Sequence, residues 1–117
     1  MEHYTIILHT RLNRKVFSAG NISRRLIEII EDIPTEHTGI YLREVKVFPS
    51  ALACDVSISD RVTIDTACYV LRKATSSKIR EEFSELWSMP SLWSRKYSLS
   101  DKPVSDLTKE ETTKFSR

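Results

Sequence analysis

The apolar residues between positions 22 and 33 recur with helical spacing, and this pattern constrains the fold more than any other. They are Ile22, Leu26, Ile29, Ile30 and Ile33. Such spacing predicts an amphipathic helix with one buried face. Ser18 or Asn21 is a candidate N-cap, and Pro34 is expected just past the helix end.

Strand-like segments surround that helix. Residues 4–9 are apolar and β-branched, which predicts a buried first strand. Residues 41–48 alternate in polarity, and a further strand follows Pro49 and Ser50 over about residues 51–58, so the two should pair as a hairpin. Pro90 ends the preceding segment, and the aromatic residues within 92–99 predict a fourth strand there.

A second helix is predicted between the hairpin and the fourth strand, with Asp60 or Thr63 as its cap. Its apolar face comprises Ile64, Ala67, Cys68, Leu71 and Ala74, with a continuation or bend toward Ile79, Phe83 and Leu86. Residues 104–115 lack an apolar face and are helical at best. The order β-α-β-β-α-β predicts an α+β fold, a ferredoxin-like sandwich of an antiparallel sheet with the helices on one face. That fold alone indicates no activity.

Size and composition indicate one folded domain over residues 1–117, near the length at which dimerisation helps stability. We therefore expect a homodimer. The net charge of +2 neither requires nor excludes a nucleic-acid partner. Cys54 and Cys68 have no Cys-x-x-Cys spacing, which favours buried free thiols in a reducing compartment. The sequence shows no membrane-spanning run and no signal peptide, so we expect a cytoplasmic protein.

Three local motifs resemble the small single-strand DNA transposases of the insertion sequence 200 (IS200) type. The loop after the first strand reads Arg11-Leu12-Asn13-Arg14-Lys15-Val16-Phe17, similar to the family's Lys-Tyr-Arg-Arg-Lys-Val-Phe-like run. Residues 71–86 resemble their second helix, in which Leu-Lys-Gly-x-Ser-Ser leads to Phe-x-Glu-Phe-Pro-x-Leu. Trp93-Ser94-Arg95-Lys96-Tyr97 is similar to their Trp-Ser-x-Gly-Tyr strand. The motifs keep the family's order and cover nearly the whole chain.

The resemblance implies a chemistry whose residues are missing here. Active relatives hold Mg²⁺ or Mn²⁺ with a histidine-hydrophobic-histidine strand, and a tyrosine attacks a DNA phosphodiester. Ala51 and Ala53 stand where the two histidines would be, and Phe115 stands at the position of the tyrosine. The chain stops at Arg117, before the position of a further polar ligand in many relatives. We therefore expect no metal cofactor and no catalytic residue.

The strand at 51–58 nevertheless keeps its alternation. One set of side chains should face the core and the other the former site; the core set is Leu52, Cys54, Val56 and Ile58, and the site set is Ala51, Ala53, Asp55 and Ser57. Asp55 is the only charge left on the second row, and a lone carboxylate binds a hard cation weakly. We interpret it as a solvated surface residue beside a loop.

With the catalytic residues missing, DNA binding is the function that remains, and we assign it to basic residues. They are Arg11, Arg14, Lys15, Lys73, Lys78, Arg95 and Lys96, all at or near positions that are basic in the family. They could neutralise phosphates, while Trp93 or Tyr97 could stack on an unpaired base. The leading interpretation is thus a degenerate, inactive transposase-like dimer that binds single-stranded or hairpin DNA.

Two other interpretations stay open at this stage. One is a dimeric ferredoxin-like interaction module that binds a protein or a small ligand and no nucleic acid. The other is an enzyme rebuilt around Asp55, Tyr97 and a histidine, which could be His3, His9 or His37. Ser50, Cys54 and Asp55 also depart from the family pattern, which favours natural drift over engineered loss of the site.

Overall fold

The computed structural model describes residues 2–11, 14–18, 20–83, 86, 92–100 and 102–107, with Arg95 and Lys96 described by their backbone alone. The strands are β1 (Glu2–Thr10), β2 (Ile40–Phe48), β3 (Ala51–Ile58) and β4 (Trp93–Ser100), and the helices are α1 (Gly20–Glu36) and α2 (Ile64–Glu82). Short 3₁₀ turns lie at Val16–Ser18 and Val104–Asp106. The predicted element order is confirmed.

The described strands form one antiparallel sheet in the order β2-β3-β1-β4. Both helices pack on the same face of it, which we call the helix face. The core between helices and sheet takes Ile6 and Leu8 from β1, and Leu52, Cys54, Val56 and Ile58 from β3. The α+β ferredoxin-like sandwich and the inward row of β3 are therefore both as predicted.

Helix α1 differs from the prediction at both ends. It begins at Gly20, so Asn21 lies inside it and Ser18 belongs to the preceding 3₁₀ turn. Pro34 lies within the last turn rather than beyond it, and the His37 N–H still donates to the Ile33 carbonyl at 2.8 Å. A proline in a last turn removes only one N–H donor, while the buried apolar face continues to hold the helix on the sheet.

Helix α2 begins as predicted, because the Thr63 side chain caps it by accepting the Thr66 N–H at 3.1 Å. It continues through Ile79 to Glu82 and buries Ala67, Cys68, Leu71, Thr75 and Ile79. Ion pairs tie it to α1, from Arg25 to Glu82 at 2.9 Å and from Lys78 to Glu36 at 3.3 Å.

Cys54 and Cys68 are buried free thiols, as predicted, and burial raises the pKa of the Cys68 thiol to about 12. Neither thiol is therefore ionised at neutral pH, and both behave as small apolar core groups. In the described part of the chain, no helix has the length and hydropathy to cross a membrane.

Candidate functional site

The face of the sheet opposite the helices, here called the second face, carries the row of β3 that the resemblance assigns to metal binding. Four register pairs of β1 and β3 lie on it: His3 with Ser57, Thr5 with Asp55, Ile7 with Ala53, and His9 with Ala51. This arrangement follows from the period of two along each strand. The predicted outward row of β3 is thus placed correctly, but its surroundings are not those expected of a surface.

Ala51 and Ala53 are buried, at 2% and 0% exposure. They belong to a second apolar cluster together with Ile7, Phe48, Val104 and Leu107. Val104 and Leu107 come from residues 103–107, which follow β4 and lie on the second face. The sequence predicted no apolar face for residues 104–115, yet these two side chains are buried. They are only three residues apart, too short a stretch to show a helical face.

Two polar contacts hold residues 103–107 on the second face. The Val104 N–H lies 3.3 Å from both Asp55 carboxylate oxygens, and the Lys46 ammonium donates to the Leu107 carbonyl at 3.0 Å. Asp55 also accepts the Thr5 hydroxyl at 2.5 Å. The interpretation of Asp55 as a freely solvated residue is therefore wrong, because this half-buried carboxylate fixes a backbone N–H that opens a 3₁₀ turn.

The first basic group is the loop after β1, where Arg11, Arg14 and Lys15 are all exposed. Within the described residues, no ion pair joins these three to a carboxylate. Hydrogen bonds hold the backbone at Arg11 and Arg14: the Arg11 N–H donates to the Leu92 carbonyl at 3.1 Å, and the Thr10 hydroxyl donates to the Arg14 carbonyl at 2.7 Å. The three cations, here called the basic loop, are thus presented at a defined end of the sheet.

The two predicted lysines of α2 point in different directions. Lys78 is paired with Glu36 of α1. Lys73 is exposed on the outward side of α2, with its ammonium 5.7 Å from the centre of the Tyr69 ring. Arg95 and Lys96 lie on β4, and their side chains are outside the described part of the chain. Of the five predicted DNA-binding residues with described side chains, Lys78 is engaged with α1, and the other four are exposed: Arg11, Arg14, Lys15 and Lys73.

Trp93 was a candidate for base stacking, and the structure contradicts that role. Its side chain is buried at 4% exposure, packs on Phe17 with ring centres 5.4 Å apart, and donates its indole N–H to the Thr75 hydroxyl at 2.8 Å. Thr75 in turn donates to the Leu71 carbonyl at 2.7 Å. Sequence reasoning missed Thr75, although a polar residue in register with the apolar face of α2 was the available signal.

Tyr97 lies on the helix face, where it packs against the main core and donates its hydroxyl to Asp65. That hydrogen bond is the main cause that raises the pKa of Tyr97 to about 12. A phenol with this pKa is a poor nucleophile at neutral pH. Because Asp55 lies on the opposite face, the interpretation of a site rebuilt from these two residues is wrong.

The family model described as "Transposase IS200 like" matches residues 2–114. This chain belongs to the IS200-like transposase family. The fold agrees with a solved structure of a "putative transposase" from Deinococcus radiodurans R1, with a TM-score of 0.78 and 18% identity over 97% of this chain and 84% of the other. It also resembles a REP-associated tyrosine transposase bound to a REP hairpin, with a TM-score of 0.58 and 9% identity over 96% of this chain and 61% of the other. No curated protein matches the chain.

The residues of this IS200-like chain do not fit the divalent metal that the family resemblance implies. Alanine offers no ligand, and the space above Ala51 and Ala53 is filled by apolar side chains. His9 is the nearest histidine, as the register partner of Ala51. It is 2% exposed, its Nε2 lies 3.2 Å from the Ser98 hydroxyl, and its Nδ1 has no hydrogen bond within the described residues.

Burial lowers the pKa of His9, which favours its neutral form. His3 is bound to Ser57 at 2.5 Å, and His37 follows the end of α1. Among the described residues, no group of three or more His, Cys, Asp or Glu side chains could hold a metal. Phe115, at the expected nucleophile position, is outside the described part of the chain.

Beside the covered alanines, the IS200-like chain has an open cleft of about 770 Å³. Its lining includes His3, Thr5, Arg43, Glu44 and Asp55. The cleft lies at the β-bulge of β2, where the register with β3 shifts between Leu42 and Glu44. Sequence reasoning missed this cleft, because the bulge that brings Arg43 and Glu44 to it has no local sequence signature.

Proposed function

We propose that this protein is a degenerate, catalytically inactive member of the IS200-like family that binds single-stranded or hairpin DNA. The observation that carries the inactive part is the burial of Ala51 and Ala53 beneath Val104 and Leu107. A divalent ion needs oxygen or nitrogen ligands and room for coordinated water. An apolar cluster at this position supplies neither.

Inactivity is tested with a nicking assay on labelled hairpin and single-stranded DNA, with Mg²⁺ or Mn²⁺ present. We expect intact DNA after prolonged incubation and no protein band shifted by attached DNA on a denaturing gel. A covalent protein-DNA adduct would show that a nucleophile remains, and would remove the inactive part of the proposal.

The DNA-binding part of the proposal draws on the basic loop. Arg11, Arg14 and Lys15 are exposed, and within the described residues no carboxylate neutralises them. Hydrogen bonds to Leu92 and from Thr10 hold the backbone of Arg11 and Arg14, so these two residues lose less conformational freedom when a phosphate binds. The hairpin bound to the structurally similar REP-associated transposase makes a DNA hairpin the natural first probe.

Fluorescence anisotropy with a hairpin, an unstructured single strand and a duplex of matched length tests this part. About three phosphate contacts on a single strand give a slope of about −2 in log affinity against log salt, so a fourfold rise in salt should weaken binding roughly 20-fold. Replacing Arg11, Arg14 and Lys15 together by glutamine should flatten that slope. If micromolar wild-type protein binds none of the three DNAs, the DNA-binding proposal fails.

The proposal includes a homodimer in the cytoplasm. A chain of 117 residues buries a thin core by itself, and dimerisation adds buried surface. Light scattering coupled to size-exclusion chromatography should give twice the mass of 13.6 kDa. A monomeric mass across the micromolar range would remove the dimer from the proposal without affecting DNA binding.

The cleft near Asp55 supports a second candidate function, an interaction module for a small ligand. Its lining pairs cationic Arg43 with anionic Glu44 and Asp55, which suits a ligand that carries both charges. In that case a variant with Arg43→Ala should lose the thermal stabilisation that such a ligand gives, while Arg14→Ala should keep it. Salt-sensitive DNA binding that depends on the basic loop would instead favour the first function.

A further inference from the structure

We infer that the outward face of α2 is a second DNA-contacting surface, a track for the phosphates and bases of a single strand. We call it the α2 stripe, and it consists of Tyr69, Lys73, Ser76, Ser77 and Arg80. The inference rests on the proposed DNA-binding function and deepens it, because it adds Tyr69 and Arg80 to the helix that the family resemblance indicated and removes Lys78 from the interface.

Helix geometry places these five residues together. Apart from the adjacent Ser76 and Ser77, neighbours in the stripe are three or four positions apart, and a helix turns by about 100° per residue, so the side chains project from one side. The core residues of α2, such as Leu71 and Thr75, project from the opposite side. Lys78 is five positions after Lys73, about 140° around the helix, and its ion pair with Glu36 confirms that it turns toward α1.

The chemistry of the α2 stripe matches single-stranded nucleic acid. No acidic residue occurs between Asp65 and Glu81, so the central part of the helix has no carboxylate to repel phosphate. Lys73 and Arg80 supply the positive charge, and Ser76 and Ser77 supply hydroxyl donors. Glu81 borders the stripe, and with both serines and Arg80 it lines a shallow hollow on this side of the helix.

Tyr69 favours a single strand over a duplex. Tyr69 is 55% exposed, and the Lys73 ammonium lies 5.7 Å from the centre of its ring. An exposed aromatic ring beside a cation is the arrangement on which unpaired bases stack while the cation contacts the neighbouring phosphate. Bases within a duplex are already stacked and do not offer this contact.

The α2 stripe and the basic loop can act on one strand because the same anchor joins them. Thr75 lies in the same part of α2 as the stripe but faces the core, where its hydroxyl accepts the Trp93 indole N–H at 2.8 Å. Trp93 is the register partner of Thr10, which immediately precedes the basic loop. The C-terminal half of α2 therefore lies at the same end of the sheet as Arg11.

The test compares two lysines of the same helix. Lys73→Gln and Lys78→Gln each remove one positive charge, but only the first lies on the α2 stripe. With a labelled unstructured single strand, Lys73→Gln should reduce the salt slope of log affinity by about 0.7, while Lys78→Gln should leave it at the wild-type value. Tyr69→Ala should weaken binding by about fivefold or more at fixed salt, because it removes one base-stacking platform.

Circular dichroism confirms that each variant is folded, and Tyr69→Phe, which keeps the ring, should restore most of the affinity. Equal losses for the two lysine variants, or no loss for either, would overturn the α2 stripe while leaving the proposed function intact. Failure of the wild-type protein to bind the strand at all would overturn both.

Discussion

Restoring the two histidines by Ala51→His and Ala53→His should destabilise the protein and should not create a metal site. Both positions are buried beneath Val104 and Leu107. Two imidazoles can enter only if the cluster is overpacked, which costs about 1–3 kcal/mol per site, or if residues 103–107 leave the sheet. The perturbation therefore measures how firmly the second face is closed.

The contacts of residues 103–107 set the free-energy cost of displacing them from the sheet. Uncovering Val104 and Leu107 loses about 1.5–3 kcal/mol for each side chain. The hydrogen bonds from the Val104 N–H to the Asp55 carboxylate and from the Lys46 ammonium to the Leu107 carbonyl add about 0.5–1.5 kcal/mol each. Displacement thus costs roughly 4–9 kcal/mol, and overpacking at both sites roughly 2–6 kcal/mol. Because the protein adopts the cheaper response, we expect the free energy of unfolding to fall by about 2–6 kcal/mol.

Urea denaturation followed by circular dichroism measures this fall, with and without Mn²⁺. The matched control places two histidines at exposed positions of β2, by Tyr41→His and Arg43→His, and should cost little. A functional metal site would add about 2.7 kcal/mol of stability when free Mn²⁺ is a hundred times its dissociation constant. If the buried double variant is as stable as the wild type and gains stability from Mn²⁺, the second face is open and the reasoning here is wrong.

Three further predictions concern single contacts of the fold. Gly39 has a φ of +92°, and a Cβ there would stand 2.7 Å from a side-chain oxygen. Gly39→Ala should therefore lower the free energy of unfolding by about 1–3 kcal/mol, measured by urea titration. Gly20 has open space around it, so Gly20→Ala serves as the control in the same titration. Thr75→Val leaves the Trp93 indole N–H without its acceptor and should cost about 1–3 kcal/mol; a cost no larger than that of Thr75→Ser, which keeps the hydroxyl, would contradict this. The pKa of Tyr97 rises from 10.0 to about 12 on folding, so its contribution to stability is complete below pH 10.0 and is lost as the pH approaches 12. Stability curves of the wild type and Tyr97→Phe should therefore converge over that interval, and parallel curves would refute the assignment.

Local sequence patterns were sufficient for much of this fold. The alternation after Pro49 located β3 to the residue, and Thr63 was one of two cap candidates for α2, with Asp60, because both precede an apolar helical face. Both features depend on interactions between residues close in sequence. The end of α1 was misplaced for the same reason, because the local effect of Pro34 was weighed without the tertiary packing that carries the helix past it.

The features that decide the site depend on contacts between distant residues. Val104 and Leu107 look unremarkable in a polar segment, and only their position over β3 shows that they fill the space above Ala51 and Ala53. Trp93 was correctly assigned to a strand, but its predicted base-stacking role was wrong, because the side chain is buried by contacts with Phe17 and α2. The orientation of Lys78 could have been anticipated from helical spacing, whereas its ion pair with Glu36 could not.

The apolar cover on the second face also has an evolutionary consequence. A descendant that regained a single histidine at position 51 or 53 would lose stability at once and gain no activity, because one ligand does not bind the ion and Val104 and Leu107 still occupy the space. Recovery of cleavage would need several coordinated substitutions, in β3 and in residues 103–107. The packing would therefore make the proposed loss of activity difficult to reverse, whereas a change in what the protein binds would not require residues 103–107 to move.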